Sequence, residues 1–312
     1  MKIIYFGTPE VATIPLQHLI ESDVEVVAVV TQPDKPVGRN KKVSPTPVKK
    51  LAEASGIKVF QPENLKSDVS LKGLKELEAD VFVVFAYGKI IPQSVLDIPK
   101  VGTLNIHPSL LPKYRGPSPV QSAILDQAKE TGVTIIEVDR DMDHGPILAQ
   151  SKTLISADDT TPDLLEKLVI MGSNLLIQNI GVHAEGKAKL LNQDHTQATL
   201  TKMVKKGDGQ INWSDSAEQI YAQFRAYHPW PGVYTIYKDK RLKIGKMSLP
   251  NSDFTGSGVP GSVILNDNGI IHITCSTGAV ELLEVQVEGK SAMPVADFVR
   301  GNKDFSKSVL GS

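Results

Sequence analysis

The sequence holds one cysteine, Cys275, among 312 residues. A single thiol excludes an internal disulfide framework and disfavours a thiolate-ligated metal centre. With Ile271, Ile273 and Val280 around it, Cys275 reads as a small buried apolar residue in a strand. Long apolar runs are also missing. The longest, over 81–91, is interrupted by Gly88 and Lys89 and is too short to span a bilayer, so no membrane partner is expected. Charge of one sign is not in excess: 34 Lys and Arg against 35 Asp and Glu leave a net of −1. Any surface for nucleic acid must therefore be a local patch. The first strand ends in Gly7-Thr8-Pro9 and not in Gly-x-Gly-x-x-Gly, and no Gly-x-x-x-x-Gly-Lys-Ser/Thr stretch occurs, which disfavours dinucleotide and P-loop sites. The seven histidines have no partners at metal-ligand spacing, and no metal is expected. Internal repeats and low-complexity tracts are absent. Lys2 to Gly7 reads as the opening strand of a fold with no targeting segment before it, and a cytoplasmic monomer is the expectation.

What the chain does contain suits two soluble domains. Its length fits about two, and 41 % hydrophobic with 22 % charged residues supports sizeable cores. In the first half, apolar runs at 2–6, 24–31, 81–85, 101–106 and 131–138 alternate with helix-like segments at 11–22, 46–56, 70–78 and 117–126. Val- and Ile-rich runs without strict alternation suit strands covered on both faces. The β–α rhythm predicts a doubly wound, mostly parallel α/β sheet over 1–188. A further helix is expected over 161–181, opened by Thr160-Thr161-Pro162-Asp163. The polar stretch 189–206 reads as an interdomain linker. From 207 to 312, short strand-like runs punctuated by Gly, Pro, Asn and Asp predict a small antiparallel barrel or sandwich, with an OB-like barrel expected.

The most informative stretch is Asn105-Ile106-His107-Pro108-Ser109-Leu110-Leu111-Pro112-Lys113-Tyr114-Arg115-Gly116. Asn105 and His107 are two apart, so an extended chain points both side chains to one face. A neutral donor beside a proton-transfer group is what acyl-type transfer needs at its developing oxyanion. Taken alone, the stretch reads equally well as a strand that merely ends in polar residues. A second acidic segment follows, with Asp139, Asp141 and Asp143 after Glu137. The two strands are expected to be parallel neighbours whose ends share one sheet edge, so this loop reaches the loop holding His107, and a carboxylate there would favour the protonated imidazole and fix its orientation. An acidic surface turn is the alternative.

Together, the 105–116 stretch, Thr131-Gly132-Val133-Thr134, Asp139 and Asp143-His144-Gly145-Pro146 resemble the folate-dependent formyltransferases. The resemblance implies a catalytic trio of Asn105, His107 and Asp143 and 10-formyltetrahydrofolate as the formyl donor. It also implies direct attack of an amine on the formyl carbon through a tetrahedral intermediate. The folate slot would be walled by Phe85, Ala86, Tyr87 and Gly88, by Ser109, Leu110, Leu111 and Pro112, and by the segment from Val138 and Asp139 to Asp143. No residue pattern calls for a covalent enzyme intermediate.

Two features bear on the acceptor. Between Asp34 and Lys50 six bases (Lys35, Arg39, Lys41, Lys42, Lys49, Lys50) face the single acid Asp34, a local net of +5. The insertion over 32–50 is far longer than the roughly 2–6 residues usual after such a strand, and its bases suit phosphate contacts. It resembles the loop with which the family's tRNA-directed members meet initiator tRNA. Second, Gln210-Ile211-Asn212-Trp213 and Ala226-Tyr227-His228-Pro229-Trp230-Pro231-Gly232 resemble those members' second domain. There, five bases face Asp239 between Lys238 and Lys246, a local net of +4. Lys206, at the end of the linker, and Arg241, Lys243 and Lys246 on this domain are the expected RNA contacts. The resemblance implies initiator methionyl-tRNA as the acceptor. A formyltransferase for a nucleotide-linked amino sugar and a catalytically silent RNA-binding protein are the alternatives.

Overall fold

The computed structural model describes residues 1–37, 42–250 and 258–311. The described residues divide into two compact units. The first comprises 1–119, 130–154 and 164–201, and the second 120–129, 155–163 and 202–312.

Unit 1 is organised by β1 (Lys2–Phe6), β2 (Glu25–Val30), a hairpin of β3 (Lys35–Val37) and β4 (Lys42–Ser44), β5 (Lys58–Phe60), β6 (Val81–Val84), β7 (Gly102–His107), β8 (Glu130–Glu137) and β9 (Ile147–Leu154). Seven of them form one sheet in the order β5-β2-β1-β6-β7-β8-β9. Successive residues of each central strand enter opposite cores, the period-two geometry of a sheet covered on both faces. Ile3, Tyr5, Val81, Val83, Leu104 and Ile106 pack on one side with α1 (Thr13–Ile20), α2 (Pro47–Ala54) and the unit-1 part of α6 (Thr161–Ala184). Ile4, Phe6, Ala28, Val30 and Phe82 pack on the other with α3 (Asp68–Lys75) and α4 (Gln93–Leu96). A short α5 (Pro119–Leu125) precedes β8.

Strands β5, β2, β1, β6 and β7 are parallel, as expected, but β8 runs antiparallel to both of its neighbours, β7 and β9. This corrects the expectation that the strand at 131–138 runs parallel to its neighbour. His107 pairs with Thr134 and Leu104 with Glu137, so the acidic loop leaves β8 beside Leu104 and not beside His107. Strand direction has no local signature, and the 22-residue connection over 108–129, with its helix, permits either sense.

Residues 189–206, expected as a linker, are largely tied to unit 1. Leu191 exchanges both backbone hydrogen bonds with Ile147, and Arg115 N–H donates to Thr199 O while Thr201 N–H donates to Arg115 O. The unit-1 cluster extends to Thr201.

Unit 2 carries α7 (Ala217–Tyr227), then antiparallel β10 (Val233–Tyr237), β11 (Lys240–Ser248), β12 (Val263–Leu265), β13 (Ile271–Thr274), β14 (Ala279–Val287) and β15 (Met293–Pro294), with α8 (Val295–Gly301). The sheet order is β10-β11-β14-β13-β12, with β15 on β14. The final residues join its two edges: Val263 N–H donates to Ser308 O and Leu310 N–H to Gly261 O, while Gly311 N–H donates to Ile236 O. Closing the edges in this way removes the exposed ladder groups that an open sheet presents. Cys275 is buried, and desolvation pushes its thiol up to about 12, which makes it inert. Among the described residues no helix is long and apolar enough to cross a membrane.

Candidate active site

Leu104 and Ile106 anchor β7 in one core, which turns Asn105 and His107 to the opposite face. His107 is 4 % exposed. Its Nε2 lies 2.9 Å from the Tyr114 carbonyl. A carbonyl only accepts, so Nε2 carries the proton of that bond. Nδ1 lies 3.6 Å from Asp143 Oδ1, too long for a direct hydrogen bond but a close charge contact. Asp143 is itself held, because Gly116 N–H donates to its Oδ2 at 2.8 Å. Among the described residues no protein group bonds the Asn105 side-chain amide, which leaves its Nδ2 available as a donor. The structure thus brings the three predicted residues to one place.

It does so by a route the sequence did not suggest. The loop after β8 closes on itself, with Glu137 N–H donating to Pro146 O at 3.0 Å and Val138 N–H donating to Thr103 O at 2.7 Å. A Cβ on Gly145 would lie 1.8 Å from the Glu137 carbonyl oxygen, so only glycine permits this closure. Asp139 braces the same loop: its carboxylate accepts from Asp141 N–H at 3.0 Å and lies 2.7 Å from His144 Nδ1. The loop thereby returns Asp143 to His107. Three non-glycine residues of the site hold left-handed backbone: Ala86 at φ 49°, Tyr114 at 61° and Asp143 at 52°. Such conformations cost about 1–3 kcal/mol each and concentrate where function requires them.

The predicted folate walls separate by burial. Phe85 and Tyr87 are 4 % and 2 % exposed and belong to the two opposite cores, so their rings shape the scaffold. Burial pushes the Tyr87 phenol up to about 12. Between and after them, Ala86 and Gly88 are exposed. The loop is pinned at the Tyr87 carbonyl, which accepts from Thr8 Oγ1 at 2.9 Å and Gln32 Nε2 at 3.0 Å. In the second wall Ser109 and Leu111 are buried while Leu110 and Pro112 are half-buried. Thr134, outside the predicted site residues, organises this wall. Its Oγ1 donates to Ser109 O at 2.6 Å and accepts from Leu111 N–H at 3.1 Å. Thr134 pairs with His107 across the antiparallel β7–β8 ladder. Val138 is half-buried beside Thr103.

Among the expected RNA contacts, Lys35 opens the β3–β4 hairpin and donates to Gln32 Oε1 at 2.8 Å. At the hairpin's base, hydrogen bonds from Lys49 and Gln61 hold the Asp34 carboxyl below its usual range. Arg39 and Lys41 lie outside the described residues, and only the backbone of Lys42 is described, in β4. In unit 2, Lys206, Arg241 and Lys246 are exposed and Lys243 is half-buried. The Arg241 guanidinium stacks 3.9 Å from the centre of the Tyr234 ring. Lys238, from the same basic segment, is paired with Asp304.

The chain matches the formyl transferase family over residues 1–180 and the formyl transferase C-terminal domain over 203–303. It is 41 % identical to a methionyl-tRNA formyltransferase of Dehalococcoides mccartyi (strain CBDB1) over all of this chain and 99 % of that protein. It is 43 % identical to one of Chloroflexus aurantiacus (strain ATCC 29366 / DSM 635 / J-10-fl) over 96 % of this chain and 97 % of that protein. Its fold resembles the sugar 3N-formyl transferase WlaRD, solved with dTDP and 5-N-formyl-THF, at a TM-score of 0.66 and 24 % identity. That likeness covers 93 % of this chain and 99 % of the other.

Proposed function

The chain belongs to the formyl transferase family alongside methionyl-tRNA formyltransferases, and on that premise we propose that it formylates the α-amino group of methionyl initiator tRNA with 10-formyltetrahydrofolate. The observation that carries the chemistry is the shared face of Asn105 and His107, with Asp143 3.6 Å from the imidazole. The neutral amine attacks the formyl carbon and the formyl oxygen becomes anionic. Asn105 Nδ2 and the Nδ1–H of the His107 imidazolium donate hydrogen bonds to that oxygen, since Nε2–H is held by the Tyr114 carbonyl. One such donor is worth roughly 3–4 kcal/mol in the transition state. Asp143 stabilises the imidazolium and relays the amine's proton, directly or through water, to the folate nitrogen, whose bond to the formyl carbon breaks as the tetrahedral centre collapses and tetrahydrofolate leaves. The folate is held by the exposed turn at Ala86 and Gly88, the half-buried Leu110 and Pro112, and the loop from Val138 and Asp139.

Cations on each unit supply the phosphate contacts: Lys35, Arg39, Lys41 and Lys42 in the hairpin insertion, and Lys206, Arg241, Lys243 and Lys246 in unit 2. Arg39→Ala is expected to weaken tRNA binding and reduce the slope of log K against log salt by about one phosphate contact, with folate binding unchanged. A salt titration by filter binding measures both. An affinity unchanged across the series would remove the hairpin from the interface. The function itself is tested by offering charged initiator tRNA and a nucleotide-linked amino sugar in parallel. Formyl on the methionine alone supports the proposal, and formyl on the sugar alone would replace it.

A further inference from the structure

Gln193 lies in the polar stretch that the sequence presents as a connector, yet it is 5 % exposed and uses its whole amide. Its Oε1 accepts from Arg115 Nε at 3.1 Å and Arg115 Nη2 at 2.7 Å. Its Nε2 donates to the Asp143 carbonyl at 2.9 Å and the Gly145 carbonyl at 2.7 Å. The chemistry fixes this orientation, because a guanidinium only donates and backbone carbonyls only accept. An amide with two acceptor sites and two N–H groups is thereby fully satisfied in a buried setting.

Arg115 is 7 % exposed and reaches a second partner, with Nη2 2.8 Å from His195 Nδ1. Since guanidinium cannot accept, that imidazole nitrogen is unprotonated. The His195 ring stacks on His144 with centroids 4.0 Å apart and planes 4° from parallel. The loop bearing Asp143 is therefore gripped at three successive residues: the Asp143 carbonyl, the His144 ring and the Gly145 carbonyl. The residues flanking Arg115 complete the arrangement. Tyr114 offers its carbonyl to His107 Nε2, and Gly116 N–H donates to the Asp143 carboxylate.

We propose that Arg115 and Gln193 are positioning residues for formyl transfer: their buried pair locks the 143–145 backbone so that the Asp143 carboxylate stands against His107. Their side-chain hydrogen bonds go to each other, to His195 and to the loop backbone. The Gln193 carboxamide acts as a two-sided adaptor between the cation and two carbonyls, a part that neither a carboxylate nor an apolar side chain can fill. The proposal rests on the role assigned above to Asp143.

The discriminating variant is Gln193→Glu. It keeps an acceptor for Arg115 and exchanges the two donors for an oxygen facing two carbonyls. A role confined to satisfying Arg115 predicts a tolerated change. The clamp predicts a fall in kcat of about 10- to 100-fold, the scale expected from about an ångström of misplacement, with KM for folate within about threefold. In an Asp143→Asn background the same substitution should cost less than about threefold, because what it positions is already lost. Wild-type kcat in Gln193→Glu, or its full penalty in the Asp143→Asn background, would overturn the clamp. A costly Asp143→Asn with a silent Gln193→Glu removes the clamp alone, and a silent Asp143→Asn removes the function's assignment of Asp143 and the clamp with it. Should Gln193→Glu not fold, Gln193→Met enters the same cycle. Failure of both to fold would mark the pair as structural and overturn the proposal.

Discussion

Replacing Asn105 with alanine is expected to lower kcat for formyl transfer by about 10²- to 10³-fold while folate affinity changes by less than about threefold. The side chain sits on β7 between Leu104 and Ile106, both fully packed, so the backbone that carries it stays in place without it. No protein group among the described residues bonds its amide, so the truncation orphans no buried partner. The expected stability change is about 1 kcal/mol or less. What is lost is a donor aimed at an oxygen whose charge exists only in the transition state. Such an interaction enters kcat and leaves ground-state binding alone. Steady-state kinetics alongside folate titration separates the two, and a variant that binds folate poorly yet turns over normally would refute the oxyanion role.

A second large effect is expected from adding a single methyl group. Gly145→Ala would place a Cβ 1.8 Å from the Glu137 carbonyl oxygen and 3.3 Å from the Asp139 nitrogen, all backbone with no flexible end to yield. The loop must open by more than an ångström, and with it the closure between Glu137 N–H and Pro146 O. Asp143 is two residues away and depends on that closure to reach His107. A displacement of this size costs about 10²-fold in kcat, and forcing a methyl group into a packed site costs about 1–3 kcal/mol of stability. Both follow from one construction, so kcat and the thermal midpoint should fall together. Wild-type turnover in Gly145→Ala would mean that loop closure does not set the Asp143 carboxylate.

The parallel strands and the Asn105–His107 pair were legible because they depend on local periodicity. Apolar runs buried on both faces mark β1, β2, β6 and β7, and spacing by two in an extended chain sets a common face. Other elements left weaker traces. Strand β9 lies at the sheet edge with half-exposed alternation, Ile147 to Leu154, and was not anticipated. Helix α7 was missed although Ser216 and Gln219 form a reciprocal capping box that announces its start. The closeness of Asp143 to His107 was foreseen from parallel strand ends. The strands are antiparallel, and the contact arises from a glycine-dependent loop that no periodicity encodes. Thr134 and Gln193 act across 25 and 50 residues of chain through buried hydrogen bonds. Side-chain partners at that separation have no signature in one sequence, and a buried glutamine in a polar run looks like any solvated one.

The most direct test is a single-turnover reaction with the purified chain, 10-formyltetrahydrofolate and methionyl initiator tRNA, run beside His107→Ala and read as N-formylmethionyl-tRNA. Wild type should convert the charged tRNA with no other protein present. His107→Ala should bind the same tRNA and folate yet form product slower by at least about 10²-fold. Equal product from both proteins, or none from a wild-type chain that binds both substrates, would contradict the assignment of formyl transfer to the Asn105–His107–Asp143 constellation.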